Sequence, residues 1–350
     1  MRVLLTGGCG FIGSHACVVL LEAGYDVVIV DSFHNSSRKV VDKITEILLL
    51  KEFKNQNRLI IRKGDIRNLE FLEDVFSEFK AKSDPIISVI HFAGLKSVSD
   101  SVQNPIEYWD VNVKGSFNLV SIMEKFCCFN LVFSSSCTIY GQSDNDLISE
   151  NEPTNPINPY GFTKATVEQM LTDLTGKFNN KWKIACLRYF NPIGAHHTGL
   201  IGENPMNEPT NLFPIICDVA LGKRDLVNVF GDDWPTQDGT CIRDYIHVMD
   251  LADAHLYTMK FLFSNNESIL KINLGTGVGY SVLDLIKELE RQSKKSIKFK
   301  ITSRREGDAC RAVADPSLAK KILGWSTQRS LAKMCQDGWM WQTINPNGLV

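Results

Sequence analysis

The chain lacks a long apolar run, since no stretch of its 350 residues approaches the ~20 consecutive apolar residues that a membrane-spanning helix needs. It also lacks an excess of either charge, because 38 basic and 40 acidic residues leave a formal net charge of −2. We therefore expect neither a membrane nor a nucleic-acid partner. Apolar residues at 44% and charged residues at 22% are typical of a globular protein.

Metal-binding spacings of cysteine and histidine are also missing. The 10 cysteines form no CxxC, and the 7 histidines form neither HExxH nor HxxxH. His196 and His197 are adjacent, and adjacent residues seldom bind one metal, so we expect no metal site. Scattered cysteines are typical of free thiols in a reducing cytoplasm. Because the first strand begins directly after Met1, we also expect no signal peptide.

The most informative pattern is the N-terminal one. An apolar run at residues 2–6 leads into Gly7, Gly10 and Gly13, then a helical segment, then a second apolar run that ends in Asp31. The glycines let backbone N–H groups approach a pyrophosphate, and a helix N-terminus attracts that anion. A glycine triplet alone also occurs in turn-rich loops, but the flanking strands and the acid predict a dinucleotide site. Asp31 would bind ribose hydroxyls and repel a 2′-phosphate, which favours NAD over NADP.

Further strands end in polar or small residues, where the cofactor of a parallel sheet would lie. Asp65 follows one strand and either accepts from an adenine amino group or caps the next helix. Phe92, Ala93 and Gly94 follow another strand. The hydroxyls of residues 134–136 form either a helix-capping cluster or a polar wall of an active site.

Tyr160 and Lys164 open a helix after a proline-rich loop. Their spacing of four residues places both on one helix face. The ammonium is expected to stabilise the phenolate and lower the pKa of Tyr160, which would make it a general acid/base near neutral pH. The same spacing also occurs on solvated helix faces, but its place after the serine cluster and the glycine loop favours catalysis.

The predicted fold class is α/β, a Rossmann-type doubly wound parallel sheet with a smaller C-terminal substrate-binding lobe. The alternation of strand and helix fails after residue 190, and residues 195–228 are rich in glycine, proline and asparagine. We assign residues 1–190 and about 228–263 to an NAD-binding domain. Residues from about 191 to 227, and 264–350, are assigned to the lobe.

Eight stretches carry a resemblance, and they follow one another in family order up to residue 308: TGGCGFIGSH, GDIRN, HFAGLKSV, FSSSCTIYG, NPYGFTK, LRYFNPIGAHH, FGDDWPTQDGTCIRDYIHV and RREGD. The chain resembles the extended short-chain dehydrogenase/reductase family, and within it the UDP-glucose (UDP-galactose) 4-epimerases of galactose metabolism. The resemblance implies a cytoplasmic isomerase that inverts C4 of a UDP-sugar through a transient 4-keto sugar, with tightly held NAD. It also implies a homodimer joined by helices near 107–126 and 160–174.

By position, the resemblance implies that Tyr160 is the acid/base, that Lys164 holds the nicotinamide ribose, and that Ser136 is the catalytic hydroxyl, with Thr138 as a neighbour that could share its role. The implied NAD contacts are Gly7, Gly10, Phe11, Ile12, Gly13, Asp31, Asp65, Ile66, Phe92, Ala93, Gly94, Lys96, Asn112, Ser134, Tyr160, Lys164 and Phe190. The implied UDP-sugar contacts are Lys96, Ser136, Tyr160, Asn191, Asn211, Leu212, Asn228, Phe230, Arg243, Arg305, Asp308 and Ala312. Arg243 and Arg305 would clamp the diphosphate, since a planar guanidinium suits phosphate oxygens.

Ala312 bears on the range of substrates. It stands where family members restricted to UDP-glucose and UDP-galactose carry tyrosine, so the resemblance implies room for an N-acetylated sugar. The alternative is that the loop has shifted and Ala312 is ordinary surface.

Two other functions are alternatives. A nucleotide-sugar 4,6-dehydratase of the same fold would need an Asp-Glu pair after the active-site hydroxyl, where this chain has Cys137 and Thr138. A catalytically inactive NAD-binding regulator would not need Tyr160, Lys164 and Ser136, all of which are present.

Overall fold

The computed structural model describes residues 1–51, 58–143, 145–176, 181–206, 208–305 and 307–349. The strands in these ranges are β1 Arg2–Thr6, β2 Asp26–Asp31, β3 Leu59–Lys63, β4 Ile86–His91, β5 Asn130–Ser136, β6 Lys183–Tyr189, β7 Asn191–Ile193, β8 Val227–Phe230, β9 Ile242–His247, β10 Ile269–Leu274, β11 Gly279–Ser281, β12 Phe299–Thr302 and β13 Arg311–Ala312. Seven of them form one parallel sheet in the order β10-β6-β5-β4-β1-β2-β3. This order confirms the predicted Rossmann-type fold class.

The helices complete the layers. They are α1 Phe11–Glu22, α2 Lys39–Leu50, α3 Leu69–Ala81, α4 Val98–Gln103, α5 Pro105–Tyr108, α6 Gly115–Lys125, α7 Pro159–Thr175, α8 Leu212–Ala220, α9 Val248–Ser264, α10 Val282–Ser293, α11 Ser317–Leu323 and α12 Leu331–Ile344. A π-helical turn, Trp109–Lys114, joins α5 to α6, and a 3-10 turn, Cys137–Ile139, follows β5. In the described ranges, no helix is both long enough and apolar enough to cross a membrane.

The central sheet is buried on both faces. Successive side chains of a strand point to opposite faces, so Val3 and Leu5 of β1 enter one apolar core while Leu4 enters another. The first core includes residues of α1, α2 and α9, and the second includes residues of α3, α6 and α7. Both layers are needed because a parallel sheet with two apolar faces has no side that can meet water.

A second lobe is built from short strands. β9 pairs with β7, β11 and β13, while β8 pairs with β12 in a separate two-stranded sheet. A third apolar core lies between these strands and helices α8, α10 and α12. The carboxylate of Asp244 in β9 is fully buried and accepts from the backbone N–H groups of Thr276, Gly277 and Ala314. This carboxylate therefore ties three separate chain segments of the lobe together.

Two predicted domain assignments are wrong. β10 falls in the segment assigned to the lobe, yet it extends the main sheet beside β6. β8 and β9 fall in the segment assigned to the NAD-binding domain, yet they pair with strands of the lobe. An apolar run predicts a strand but carries no information on which sheet edge that strand will join, because pairing is a long-range property. Helix α9 packs on α1, as its assignment to the first domain predicts.

Candidate functional site

The glycine loop after β1 leaves no room for side chains. Gly7 has φ +69°, and a Cβ there would lie 2.7 Å from the backbone nitrogen of Ala93. A Cβ on Gly13 would lie 2.4 Å from the carbonyl oxygen of Gly7. Helix α1 begins at Phe11, and its N-cap residue Gly10 makes no side-chain capping bond. The first turn of α1 therefore presents backbone N–H groups and the positive end of its dipole at the loop, as binding of a pyrophosphate requires.

Asp31 ends β2 beside this loop, as predicted. Its carboxylate accepts from the backbone N–H groups of Cys9 and Phe33, each at 2.9 Å, and from the hydroxyl of Ser36 at 2.8 Å. A carboxylate has about four lone-pair sites, so some remain for hydroxyl donors. The three bonds fix the orientation of a negative charge at the end of the second strand.

Asp65 does not cap the helix that follows it. The N-cap of α3 is Asn68, whose side chain accepts from the backbone N–H of Phe71. Asp65 instead binds Arg67 at 2.6 Å, and Arg67 also reaches Asp110 at 2.8 Å. The hydrogen bond from Arg67 holds the pKa of Asp65 below its usual value. The capping alternative is wrong, and the adenine alternative stays a prediction.

The loop after β4 is held against α7 by Asn112. Its amide group accepts from the backbone N–H of Leu95 at 2.8 Å and donates to the Leu95 carbonyl and to the hydroxyl of Thr163, both at 3.1 Å. A Cβ on Gly94 would lie 3.0 Å from the Asn112 amide oxygen and 3.7 Å from the Lys164 nitrogen. Asn112 and Gly94 thus bring the end of β4 next to Lys164.

Tyr160 and Lys164 lie one turn apart in α7, and both are buried. The Lys164 ammonium donates to the carbonyl of Ser134 at 2.7 Å and lies 5.8 Å from the centre of the Tyr160 ring. Burial lowers the pKa of Lys164 to about 8, while the charge of Glu168 acts in the opposite direction.

The expected lowering of the Tyr160 pKa is not what this geometry produces. Burial raises the pKa of Tyr160 to about 12, and a hydrogen bond with Ser136 lowers it only in part. The spacing of four residues was sufficient to predict that the two side chains share a face. It could not predict the desolvation of the phenolate, which depends on how much of the fold covers the ring.

Ser136 lies at the end of β5 and caps the 3-10 turn that follows it, while its place in an active-site wall stays a prediction. Its hydroxyl oxygen accepts from the backbone N–H of Thr138 at 3.3 Å and from the Thr138 hydroxyl at 3.0 Å. With those acceptor positions filled, the Ser136 proton is free to point toward the Tyr160 oxygen. Thr138 therefore orients Ser136, and a share of Thr138 in the catalytic role stays a prediction.

Three charged residues of the second lobe meet, while the diphosphate role of the two arginines stays a prediction. Asp308 binds Arg305 at 2.8 Å and lies 3.7 Å from Arg243, so one carboxylate lies between two guanidinium groups. Arg243 also donates to the carbonyl of Ala309 at 2.8 Å, and Arg305 lies over the ring of Phe230 at 5.3 Å. Glu306 of the same motif lies outside the described residues. The cluster presents two planar cations near an exposed aromatic ring.

The remaining predicted positions lie on several elements of the lobe. Ala312 pairs with Arg243 across β13 and β9 and packs against the apolar cluster that contains Phe190. This places Ala312 beside predicted site residues, although its substrate role stays a prediction. The other lobe positions lie at the start of β7 (Asn191), at the start of α8 (Asn211, Leu212) and on the outer face of β8 (Asn228, Phe230).

The predicted cofactor positions are brought to one edge of the sheet. They follow the carboxyl ends of β1 to β6 or contact the loops there: Gly7, Gly10, Phe11, Ile12, Gly13, Asp31, Asp65, Ile66, Phe92, Ala93, Gly94, Lys96, Asn112, Ser134, Tyr160, Lys164 and Phe190. In open α/β sheets, ligands bind outside the carboxyl ends of the strands.

Two polar residues of the site were not identified from the sequence. Thr163 binds Asn112 and lies inside the NPYGFTK stretch, so its position beside Tyr160 was a usable signal. Glu203 accepts from both Lys96 and Asn211, each at 2.8 Å. It lies in an irregular segment where no periodicity or motif marks it.

No metal site is evident in the residues the structure describes, since they contain no suitable group of three or more His, Cys, Asp or Glu side chains. The two adjacent histidines stack instead, with 4.2 Å between their ring centres. His196 also contacts the Thr198 hydroxyl at 2.8 Å.

Comparison with known proteins adds three kinds of similarity. A family model described as GDP-mannose 4,6 dehydratase matches residues 4–338. UDP-glucose 4-epimerase of Bacillus subtilis is 44% identical, over 99% of this chain and 98% of that protein. The crystal structure of the Stenotrophomonas maltophila UDP-glucose 4-epimerase, with bound NAD and formylated UDP-arabinopyranose, has TM-score 0.92 and 45% identity over 99% of each chain. The Bifidobacterium longum enzyme, in complex with NAD+ and UDP, has TM-score 0.92 and 42% identity over 100% of each chain.

Asp31 gives a test of the dinucleotide site. Asp31→Asn keeps the size of the side chain and one acceptor but removes the negative charge. We expect the wild type to bind NAD far more tightly than NADP and the variant to narrow that preference, because the repulsion of a 2′-phosphate is gone. Calorimetric titration of both dinucleotides measures the ratio. The exposed carboxylate of Asp146 offers a control, since Asp146→Asn should leave the ratio unchanged. A wild type that prefers NADP would contradict the assignment.

Proposed function

Because this chain belongs to the family of UDP-glucose 4-epimerases, we propose how its own residues share the work of that reaction. The protein is an isomerase that inverts C4 of UDP-glucose and UDP-galactose with NAD as cofactor. The observation that carries our assignment is the meeting of Tyr160, Lys164 and Ser136 at the sheet edge that also holds the glycine loop.

The chain's residues fit NAD. The glycine loop is a cradle that any Cβ would fill, α1 offers an uncapped N-terminus, and Asp31 stands at the end of the second strand. We assign the pyrophosphate to the loop and the adenosine ribose to Asp31. Bound NAD would supply a reversible acceptor for the C4 hydride, and the positive charge of its oxidised form would favour the phenolate of Tyr160.

Tyr160 carries the proton in our assignment. Its phenolic oxygen takes the proton of the sugar 4-hydroxyl while C4 is oxidised to a ketone, and gives it back when C4 is reduced. The bonds broken at O4 and C4 are therefore both restored, and no net oxidation results. Inversion follows because the 4-keto sugar presents its other face before the second half of the reaction.

Ser136 supplies the second contact at the sugar 4-oxygen. The two donors from Thr138 occupy its acceptor positions, so its own O–H remains available to Tyr160 or to the substrate oxygen. This arrangement relays a proton without requiring Ser136 itself to ionise.

Lys164 supplies charge beside the tyrosine. Burial lowers its pKa to about 8, so most of the population is still protonated at neutral pH and loses the proton as pH rises through 8. Glu168 lies one turn further along α7, and its buried carboxylate binds Arg188 at 2.8 Å. The charge of Glu168 works against burial and helps to keep Lys164 cationic.

The second lobe would hold the UDP-sugar. Arg243 and Arg305 are assigned to the diphosphate, with Asp308 keeping them close together despite their like charge. Phe230 lies under Arg305 and offers a ring on which the uracil can pack. The other proposed contacts are Lys96, Ser136, Tyr160, Asn191, Asn211, Leu212, Asn228 and Ala312.

Dehydration is not proposed, although the matching family model is described by a dehydratase. Removal of water after C4 oxidation needs an added acid and base at C5 and C6. The two residues after Ser136 are Cys137 and Thr138, and burial raises the pKa of the Cys137 thiol to about 12. Neither side chain supplies a proton donor and acceptor pair near neutral pH. An inactive regulator is also disfavoured by the intact catalytic group.

The described helices support a homodimer of the kind that the family resemblance implies. Ile106, Trp109, Phe117 and Phe162 expose between 41% and 83% of their surfaces on α5, the π-helical turn, α6 and α7. Large apolar side chains exposed together mark an interaction surface. We therefore assign this face to a second copy of the chain. All ten cysteines are free thiols, which supports a cytoplasmic location.

Removal of the exposed apolar side chains tests the dimer. We expect multi-angle light scattering to give twice the chain mass of 39.3 kDa for the wild type. Phe117→Ser together with Phe162→Ser should shift the protein toward the monomer, because both side chains leave the shared surface. The control is Tyr257→Ser, at an exposed residue of α9 away from these helices. A wild type with the mass of one chain would contradict the proposal.

Tyr160→Phe tests the acid/base role, since it keeps the ring and removes the proton carrier. We expect kcat for UDP-galactose to fall by about 10²–10⁴-fold, the usual contribution of general acid–base catalysis, while NAD remains bound. The assay couples the formation of UDP-glucose to UDP-glucose dehydrogenase and follows absorbance. Tyr257→Phe is the matched control and should leave kcat unchanged. A Tyr160→Phe enzyme with near-normal kcat would remove Tyr160 from the mechanism.

We further propose that N-acetylated UDP-sugars are accepted, because Ala312 places only a methyl group beside the cluster that contains Phe190. We expect the wild type to interconvert UDP-N-acetylglucosamine and UDP-N-acetylgalactosamine. Ala312→Tyr should suppress that reaction and largely spare UDP-galactose turnover. The tyrosine ring would fill the space that the N-acetyl group needs, and UDP-galactose has no such group. The UDP-galactose rate of the same variant is the internal control. Absence of N-acetyl turnover in the wild type at high enzyme concentration would contradict the proposal.

A further inference from the structure

Glu203 joins the two halves of the site through one carboxylate oxygen. Its Oε1 lies 2.8 Å from the ammonium of Lys96, which follows β4 on the cofactor side. The same oxygen lies 2.8 Å from the amide nitrogen of Asn211, the residue before α8 in the substrate lobe. Two donors, one from the cofactor side and one from the substrate lobe, thus converge on a single acceptor.

The backbone of Glu203 is fixed in place. Its carbonyl accepts from the indole N–H of Trp341 at 3.1 Å, and Trp341 is buried. A Cβ on the preceding Gly202 would lie 2.4 Å from the Trp341 ring, so the segment rests directly on that indole. Gly202 also bridges to Ala195. The carboxylate therefore projects from a rigid support, which is what a group that orients others requires.

The ion pair with Glu203 restricts the movement of the Lys96 side chain. The side chain of Lys96 is 52% exposed and that of Glu203 only 9%, so the lysine would be free to move without this contact. The carboxylate also cancels the charge of Lys96 at close range. Because Arg243, Arg305 and Asp308 already supply a net positive charge for the diphosphate, Lys96 is suited to direct a hydrogen bond rather than to add attraction.

We infer that Glu203 is a positioning residue, which holds Lys96 and Asn211 side by side for contact with the sugar. This inference rests on the proposed contacts of those two residues with the UDP-sugar. It acts on the reacting sugar and not on the UDP portion, which Arg243 and Arg305 hold. A misplacement of about 1 Å at such contacts can cost about 10²-fold in rate.

Glu203→Gln tests the inference with little change of shape. The amide keeps an acceptor for Asn211 but loses the charge that holds Lys96. We expect kcat for UDP-galactose to fall between about tenfold and a hundredfold. The affinity for UDP alone, measured by calorimetry, and the NAD content of the purified enzyme should stay unchanged. A kcat within twofold of the wild type would overturn the inference.

A double-mutant cycle shows whether Glu203 acts through Lys96. If it does, the double variant with Glu203→Gln and Lys96→Met should have the same kcat as Lys96→Met alone. Lys96→Met already removes the side chain that Glu203 orients, so the loss of the Glu203 charge has no further effect. Effects on ln kcat that simply add would overturn the positioning role.

Glu208→Gln is the matched control, because Glu208 is a glutamate of the same segment whose side chain is 92% exposed. It should leave kcat and the unfolding temperature unchanged. If Glu203→Gln unfolds at a lower temperature and regains full kcat when assayed well below it, the residue serves stability and the inference is overturned. A wild type without UDP-galactose turnover would instead overturn the proposed function, so the two failures are distinguishable.

Discussion

Burial is the constraint on which the proposed catalytic group, Tyr160, Lys164 and Ser136, depends. It raises the pKa of Tyr160 to about 12 and lowers that of Lys164 to about 8, so the same loss of water disfavours the charged form of both side chains. A phenolate is accessible only if fixed charges and donors replace the lost water. The hydrogen bond with Ser136 favours the phenolate, and the carboxylate of Glu168 favours the cationic form of Lys164. The rest must come from what binds in the site, which couples the reactivity of Tyr160 to occupancy.

The surrounding fold explains how Tyr160 and Lys164 can be shielded from water and still be accessible to a ligand. α7 packs its buried face against the central sheet, with the ion pair of Glu168 and Arg188 beneath the catalytic turn. The second lobe rises from the same sheet edge and is tied by the buried carboxylate of Asp244. The site therefore lies between one rigid sheet and one internally braced lobe, and the segment of Glu203 contacts both.

Sequence predicts the parts of the site whose chemistry depends on local spacing. The glycine loop, Asp31 and the shared face of Tyr160 and Lys164 follow from neighbouring residues, and the structure places them as expected. The Asn68 cap is local, since Asn68 accepts from the backbone N–H of Phe71 three residues later, yet the pattern points to Asp65 as the capping candidate. The assignment of β10 and the raised Tyr160 pKa do not follow, because each depends on partners distant in the chain. Glu203 belongs to the same class, since its two partners lie 107 positions before it and 8 positions after it.

The position of β10 at the edge of the main sheet has a consequence for how the chain acquires its shape. β10 pairs with β6, and the whole of β7 to β9 lies between them in sequence. Part of the lobe is thus inserted between two strands of the main sheet, while β11 to β13 follow β10, so no single cut separates two complete units. A nascent chain that ends before Ile269 leaves the edge of β6 unpaired, and an unpaired apolar edge invites association with other chains. Synthesis must therefore pass through β7 to β9 before the sheet can close.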